Sequence, residues 1–173
     1  LALSTGDWIY GDLVLSRHWV TMAMEYGTQQ GISFLNSFFY GQLNYICQLD
    51  NDPEGAALCV AQMQSATRPE RRLDVSHYYY HATWLSIERG EFAQARAYIE
   101  KSLALNEALE VRYPIALSRI KLVEVLVEFA EFDTALQHLN RALDFAERMG
   151  SPMLLFVIDM MRAWVMLRAG RHN

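Results

Sequence analysis

Residues 88–110 read ERGEFAQARAYIEKSLALNEALE, and residues 128–150 read EFAEFDTALQHLNRALDFAERMG. The second stretch restates the first at an offset of 40. Glu88, Glu91, Phe92, Ala95, Leu103 and Glu107 return as Glu128, Glu131, Phe132, Ala135, Leu143 and Glu147, with Gly90 answered by Ala130 and Ile99 by Leu139. A further step of 40 reaches Arg168, Ala169 and Gly170. A fixed period of tens of residues signals a solenoid, in which no unit buries its apolar face alone and each stacks on its neighbours.

Within a unit, apolar spacing calls for two helices, A and B, joined at the Gly90 turn. Phe92, Ala95, Ile99, Ser102 and Leu103 share one face of a B helix, and Phe132, Ala135, Leu139, Ala142 and Leu143 repeat that stripe. Turns of two or three residues make consecutive helices antiparallel. Earlier in the chain, Asp52 and Pro53 supply an N-cap and a first helical position, as Ser151 and Pro152 do later. At the front, either Gly6-Asp7-Trp8 or Gly11-Asp12-Leu13 takes the place of Gly90-Glu91-Phe92. Helices are therefore expected at about 8–29, 32–49, 53–66, 70–89, 92–109, 112–129, 132–149 and 152–169. The fold class is all-α, a solenoid of antiparallel helix pairs with a period of about 40 residues, forming a single repeat domain over 1–173. The chain starts at Leu1 inside an apolar pattern, which we read as a piece of a longer polypeptide.

Composition narrows the function classes. The 173 residues are 52% hydrophobic and 12% aromatic, which excludes a disordered segment. A net charge of -5, with Arg68, Arg71 and Arg72 offset by Glu70 and Asp74, argues against direct nucleic-acid contact. Cys47 and Cys59 are too few for a disulfide framework and lack metal-ligand spacing, which suits a reducing cytoplasm. No apolar run reaches the roughly 20 residues of a membrane helix. The longest candidate, Pro152 to Leu167, contains Asp159 and Arg162. There is no phosphate-cradling glycine loop, no nucleophile elbow and no distinctive carboxylate pair, so no catalytic residue and no cofactor are expected. His77 and His81 lie one turn apart, but no third ligand accompanies them, and we assign no metal.

Gly90, Glu91, Phe92, Ala95 and Ile99, and again Ala130, Glu131, Phe132, Ala135, Leu139, Ala142 and Leu143, resemble the helix-B half of the tetratricopeptide (TPR) signature. The usual Trp and Gly of helix A are not at their standard positions, and the usual repeat is about 34 residues. A HEAT-type array has a compatible period, but it would not require the small and aromatic residues around Gly90. The longer unit, and the phrase from Leu139 to Gly150, look more like the TPR-like solenoid of large LuxR-type (MalT-like) bacterial transcriptional regulators. Peptide-sensing regulators and signalling kinases carry similar arrays.

In such arrays the A helices line the concave surface. Transferred by register, that implies a groove walled by Tyr40, Asn44, Gln48, Tyr80, His81, Trp84, Glu88, Lys121, Glu124, Glu128, Trp164 and Arg168. Indoles and tyrosines among carboxylates suit an extended peptide, a protein segment or a small effector. For each aromatic taken singly, packing between repeats is the favoured account. The resemblance implies a right-handed α-α superhelix that serves as a non-catalytic, cytoplasmic sensor or interaction segment. The alternative is a passive scaffold that self-associates through its terminal helices, the last being apolar on more than one side.

Overall fold

A computed structural model of the protein describes residues 12–171, which form eight helices with no strand among the described residues. They are α1 (Leu13–Gln29), α2 (Asn36–Leu49), α3 (Pro53–Ala66), α4 (Arg72–Glu88), α5 (Phe92–Ala108), α6 (Arg112–Glu128), α7 (Phe132–Met149) and α8 (Pro152–Arg168). The expected start of the first helix near residue 8 lies outside the described residues. Asp12 is the N-cap of α1, its carboxylate accepting from the Leu15 N–H at 2.8 Å, which favours the Asp12-Leu13 register. Two helices begin later than expected. Before α2 the chain makes a turn in which the Ser33 carbonyl accepts from the Asn36 N–H at 3.1 Å. Before α4, Pro69 lies in a turn closed by the Arg71 N–H on the Arg68 carbonyl at 3.0 Å.

The period of 40 has a local cause. Helices α4, α5, α6 and α8 are each 17 residues long. Each connector holds one left-handed residue, at Gly90, Glu110, Ala130, Gly150 and Gly170 in turn, so each helix with its connector occupies twenty positions. Behind it the next N–H reaches back five residues: Glu91 to the Ser86 carbonyl at 2.8 Å, Glu131 to Leu126 at 2.9 Å, Ser151 to Ala146 at 3.1 Å. This closes the orphan carbonyls of the helix end and fixes the reversal of the chain. Glu91 and Glu131 then start the next helices from nearly the same backbone angles, φ -84 and ψ 58 against φ -85 and ψ 55.

Packing divides the chain into two compact units, residues 1–81 and 82–173, with the division inside α4. In the first, α2 packs against α1 and α3, and Ile46, Ala56 and Met63 are buried with Cys47 and Cys59. Burial and the neighbouring Cys47 push the Cys59 thiol up to about 12, which keeps it protonated core filling. In the second, α6 packs against α5, α7 and α8, and it is buried on every side from Ile115 to Val127 apart from the partly covered Leu117 and Glu124. The B-helix stripes are equivalent. Phe92 and Phe132 each open their helix half-buried, and Ala95, Ile99, Ala135 and Leu139 are fully enclosed. Complete burial of Ile99 or Leu139 stabilises the fold by about 2 kcal/mol each.

One difference between the repeats is compensated as a set. Between α5 and α6, Ser118 Oγ accepts from Asn106 Nδ2 at 3.0 Å and lies 3.3 Å from Ser102 Oγ, all three being buried. Forty positions on stand Ala142, Ala146 and Ile158, all buried and apolar. A buried polar seam is tolerated when complete and costly when broken.

Two expectations follow. Glu110→Gly and Ala130→Gly relieve left-handed strain and should each raise unfolding free energy by about 0.5–1 kcal/mol in urea titrations, whereas Gly90→Ala lowers it by a similar amount. No atom would crowd a Cβ at Gly90, so that loss is a backbone effect alone. Ser118→Ile alone should cost about 2–3 kcal/mol by leaving Ser102 and Asn106 buried without it. The triple change Ser102→Ala, Asn106→Ala and Ser118→Ile should recover most of this loss, measured as a coupling energy in a mutant cycle.

Candidate functional site

Within the first unit, the expected groove residues Asn44 and His81 face inward, and both are fully buried. Asn44 Nδ2 donates to the Ala56 carbonyl at 3.1 Å, which leaves its Oδ1 to accept from His81 Nδ1 at 3.1 Å. That bond sets the tautomer: the Nε2 of neutral His81 carries the lone pair, and His77 Nε2 donates to it at 3.2 Å. His77 Nδ1 is then a buried lone pair without a hydrogen-bond partner among the described residues. Phe38 stacks on the His77 ring with centroids 4.7 Å apart, and Tyr45 meets His81 edge-on at 4.7 Å. Gly41 is required here, because a Cβ would come within 2.5 Å of His77 Cε1. Tyr80 is buried, Gln48 is partly buried, and Tyr40 borders a shallow cleft with Asn36, Gln62 and Ser65. Of the three candidates in this unit other than Asn44 and His81, Tyr40 and Gln48 are partly exposed and Tyr80 is buried.

In the second unit the same register position recurs with different chemistry. Asn44 meets His81, and 40 residues on Trp84 meets Lys121, whose Nζ sits 3.3 Å from the indole centroid. Lys121 also donates to both Glu124 oxygens, at 2.7 and 2.9 Å, and it is only 5% exposed. Burial pulls its ammonium pKa down, and the Glu124 and Glu88 carboxylates oppose that pull. Arg168 lies over the Trp164 ring at 5.7 Å and pairs with Glu128 at 3.3 Å. Trp84, Glu124 and Trp164 are half-buried, while Glu88, Glu128 and Arg168 are exposed. These six residues present two indoles, three carboxylates and one guanidinium from α4, α6 and α8. The buried Lys121 beneath them holds Trp84 and Glu124 in place rather than offering itself to a ligand. Among the described residues no three His, Cys, Asp or Glu side chains converge to hold a metal ion.

The imidazole pair makes stability pH-dependent. Burial lowers the His77 pKa from 6.5 to about 4. The unfolded chain therefore takes up a proton that the folded one refuses across that interval. His77 contributes full stability above about pH 6.5, and the contribution is lost as the pH falls towards 4, by on the order of 2–3 kcal/mol. His77→Gln, which keeps a donor for His81, should flatten that part of the stability profile relative to the unaltered protein. Equal slopes in chemical denaturation at pH 7, 6 and 5 would refute the assignment.

No family model and no curated protein matches the sequence. Among solved structures, the crystal structure of the apo form of RapI is similar at a TM-score of 0.71 and 16% identity, over 98% of this chain. The chain spans 62% of the length of that one. Likeness at this identity speaks for architecture, and together with helix pairs of period 40 it makes this a TPR-like helical repeat fold.

Proposed function

We propose that this chain is a non-catalytic interaction segment. The face of α4, α6 and α8 in its second unit receives a protein, peptide or small effector. The observation that carries the reading is the half-buried pair Trp84 and Trp164 standing in register among Glu88, Glu124, Glu128 and Arg168. Indoles that remain partly open after packing supply contact area, and fixed carboxylates orient what binds. Lys121 supports the reading because it immobilises Trp84 and Glu124, which reduces the ordering cost of binding. The parent is a larger bacterial regulatory protein of the LuxR, MalT-like type, on the strength of the Leu139 to Gly150 phrase, and it works in the cytoplasm. Among the described residues no helix is long and apolar enough to cross a membrane.

A thermal-shift screen of peptide pools and small effectors, followed by isothermal titration of the hits, tests the site. Trp84→Ala and Trp164→Ala should each weaken a genuine ligand by about 1–3 kcal/mol, the usual range for a truncated aromatic anchor. Unchanged affinity in both variants removes this face as the site. A passive scaffold is the second reading, favoured by the uncovered apolar residues of α8, and it would show no ligand at all.

A further inference from the structure

The two cysteines lie in the first packed unit, Cys47 on α2 and Cys59 on α3, across the connector at residues 50–52. Small residues bring the two helices together there. A Cβ on Gly55 would come within 2.9 Å of Cys47 Sγ, Ala56 is fully buried, and the Ala56 carbonyl accepts from Asn44 Nδ2 at 3.1 Å. The Cys59 thiol donates a hydrogen bond to Cys47, so the two sulfurs are in direct contact. Thiols that meet in this way across an antiparallel helix pair are placed to join, because a disulfide needs two Cβ atoms pointing at one another over a short gap.

Their surroundings treat the two sulfurs differently. Cys47 Sγ also accepts from Nη2 of Arg17 on α1 at 3.8 Å, so a cation borders it. Arg17 is itself 42% exposed, pairs with Asp50 at 3.8 Å, and lines an open cleft with Thr21. Cys47 is only 1% exposed, and the way to it past this guanidinium suits a small polar reagent. Cys59 keeps its proton, since burial and then Cys47 push its thiol up to about 12. Among the described residues no third His, Cys, Asp or Glu joins the pair to complete a metal site.

We infer that Cys47 and Cys59 form a site of reversible oxidation by hydrogen peroxide, Cys47 reacting first and Cys59 closing a disulfide that ties α2 to α3. Cys47 Sγ attacks one oxygen of the peroxide. The S–O bond forms as the O–O bond breaks, and the departing hydroxide leaves as water with the Cys47 proton. The sulfur gives up two electrons and the peroxide gains them. Arg17 stabilises the negative charge that passes through Cys47 Sγ and through the leaving oxygen. Cys59 Sγ then attacks the sulfenic sulfur, and the Cys59 proton departs with the hydroxyl as a second water. Two of the causes that held this proton, the charge on Cys47 and the hydrogen bond to it, are gone by then. In a reducing compartment the bond is transient, because dithiols reverse it. The inference concerns the first unit alone and does not depend on the α4, α6 and α8 face proposed above.

In the test, the full chain is reduced, freed of reductant, treated with hydrogen peroxide and mapped by mass spectrometry. A Cys47–Cys59 disulfide that dithiothreitol reverses is expected. In Cys59→Ser, dimedone should trap a sulfenic acid on Cys47, whereas in Cys47→Ser the remaining Cys59 should stay a thiol under the same treatment. Cys59→Ala and Cys47→Ala, which bury no hydroxyl, repeat both arms should serine unsettle the helical circular dichroism spectrum. Arg17→Gln should slow disulfide formation about tenfold by removing the cation beside the attacking sulfur. Absence of the disulfide, dimedone on Cys59 rather than Cys47, or an unchanged rate in Arg17→Gln overturns the inference. Low urea distinguishes reaction in the folded chain from exposure by unfolding. A rate that stays flat below the unfolding transition supports the folded site, and one that climbs with the unfolded fraction overturns it.

Discussion

Behind each left-handed residue of the second unit, one backbone N–H reaches five residues back and seals the end of the helix before it. The helix interior is a matter of propensity and burial, but this bond decides where the next helix starts and which way it points. Because the sealed turn recurs at Gly90, Glu110, Ala130, Gly150 and Gly170, every helix enters with the same phase. Equivalent side chains then meet equivalent surroundings, and Phe92 and Phe132 can do the same work. Two of the five positions lack glycine, so phase is maintained there against local strain. The packing of α6 on every side gives the turns at Glu110 and Ala130 the means to hold it.

Contacts between successive A helices add a second regularity. A residue meets the one 37 positions later, one turn short of the repeat: Asn44 with His81, and Trp84 with Lys121. Glu128 and Arg168 meet at the full 40. Polar side chains on these helices are drawn into one another before any ligand is considered. In the first unit that consumes Asn44 and His81 entirely. In the second it turns Lys121 into a strut and leaves Trp84, Glu124 and Trp164 half open, so the two units offer very different surfaces from the same register.

The helices and their stripes were legible in the sequence because repetition averages out local ambiguity. A single Phe-x-x-Ala-x-x-x-Ile pattern is weak, but two at one offset are not. The degenerate front part was less legible. Nothing in Ile32 to Leu35 announces that a turn occupies the first four positions of an expected helix. The groove residues were the least legible, for a physical reason. An offset of 40 says that two residues occupy the same position, not what that position faces. Burial of Asn44, His81 and Lys121 depends on the partner 37 residues away and on Gly41 making room for two imidazoles. The pairing of a polar Asn44 with His81, echoed by Trp84 with Lys121, was the signal available to find it.

Between α3 and α4, residues 67–71 carry no left-handed residue, and the count from Asn51 to Gly90 is one short of two regular steps. A residue gained or lost inside a seventeen-residue helix would rotate everything after it by about 100° and bring polar side chains into the core. The same change between Thr67 and Arg71 only lengthens or shortens a strip of chain already free of that phase. Variation in length among kindred sequences should therefore gather at this junction. An engineered epitope or protease site placed there would fall in a connector of the first packed unit and leave the register of the second untouched.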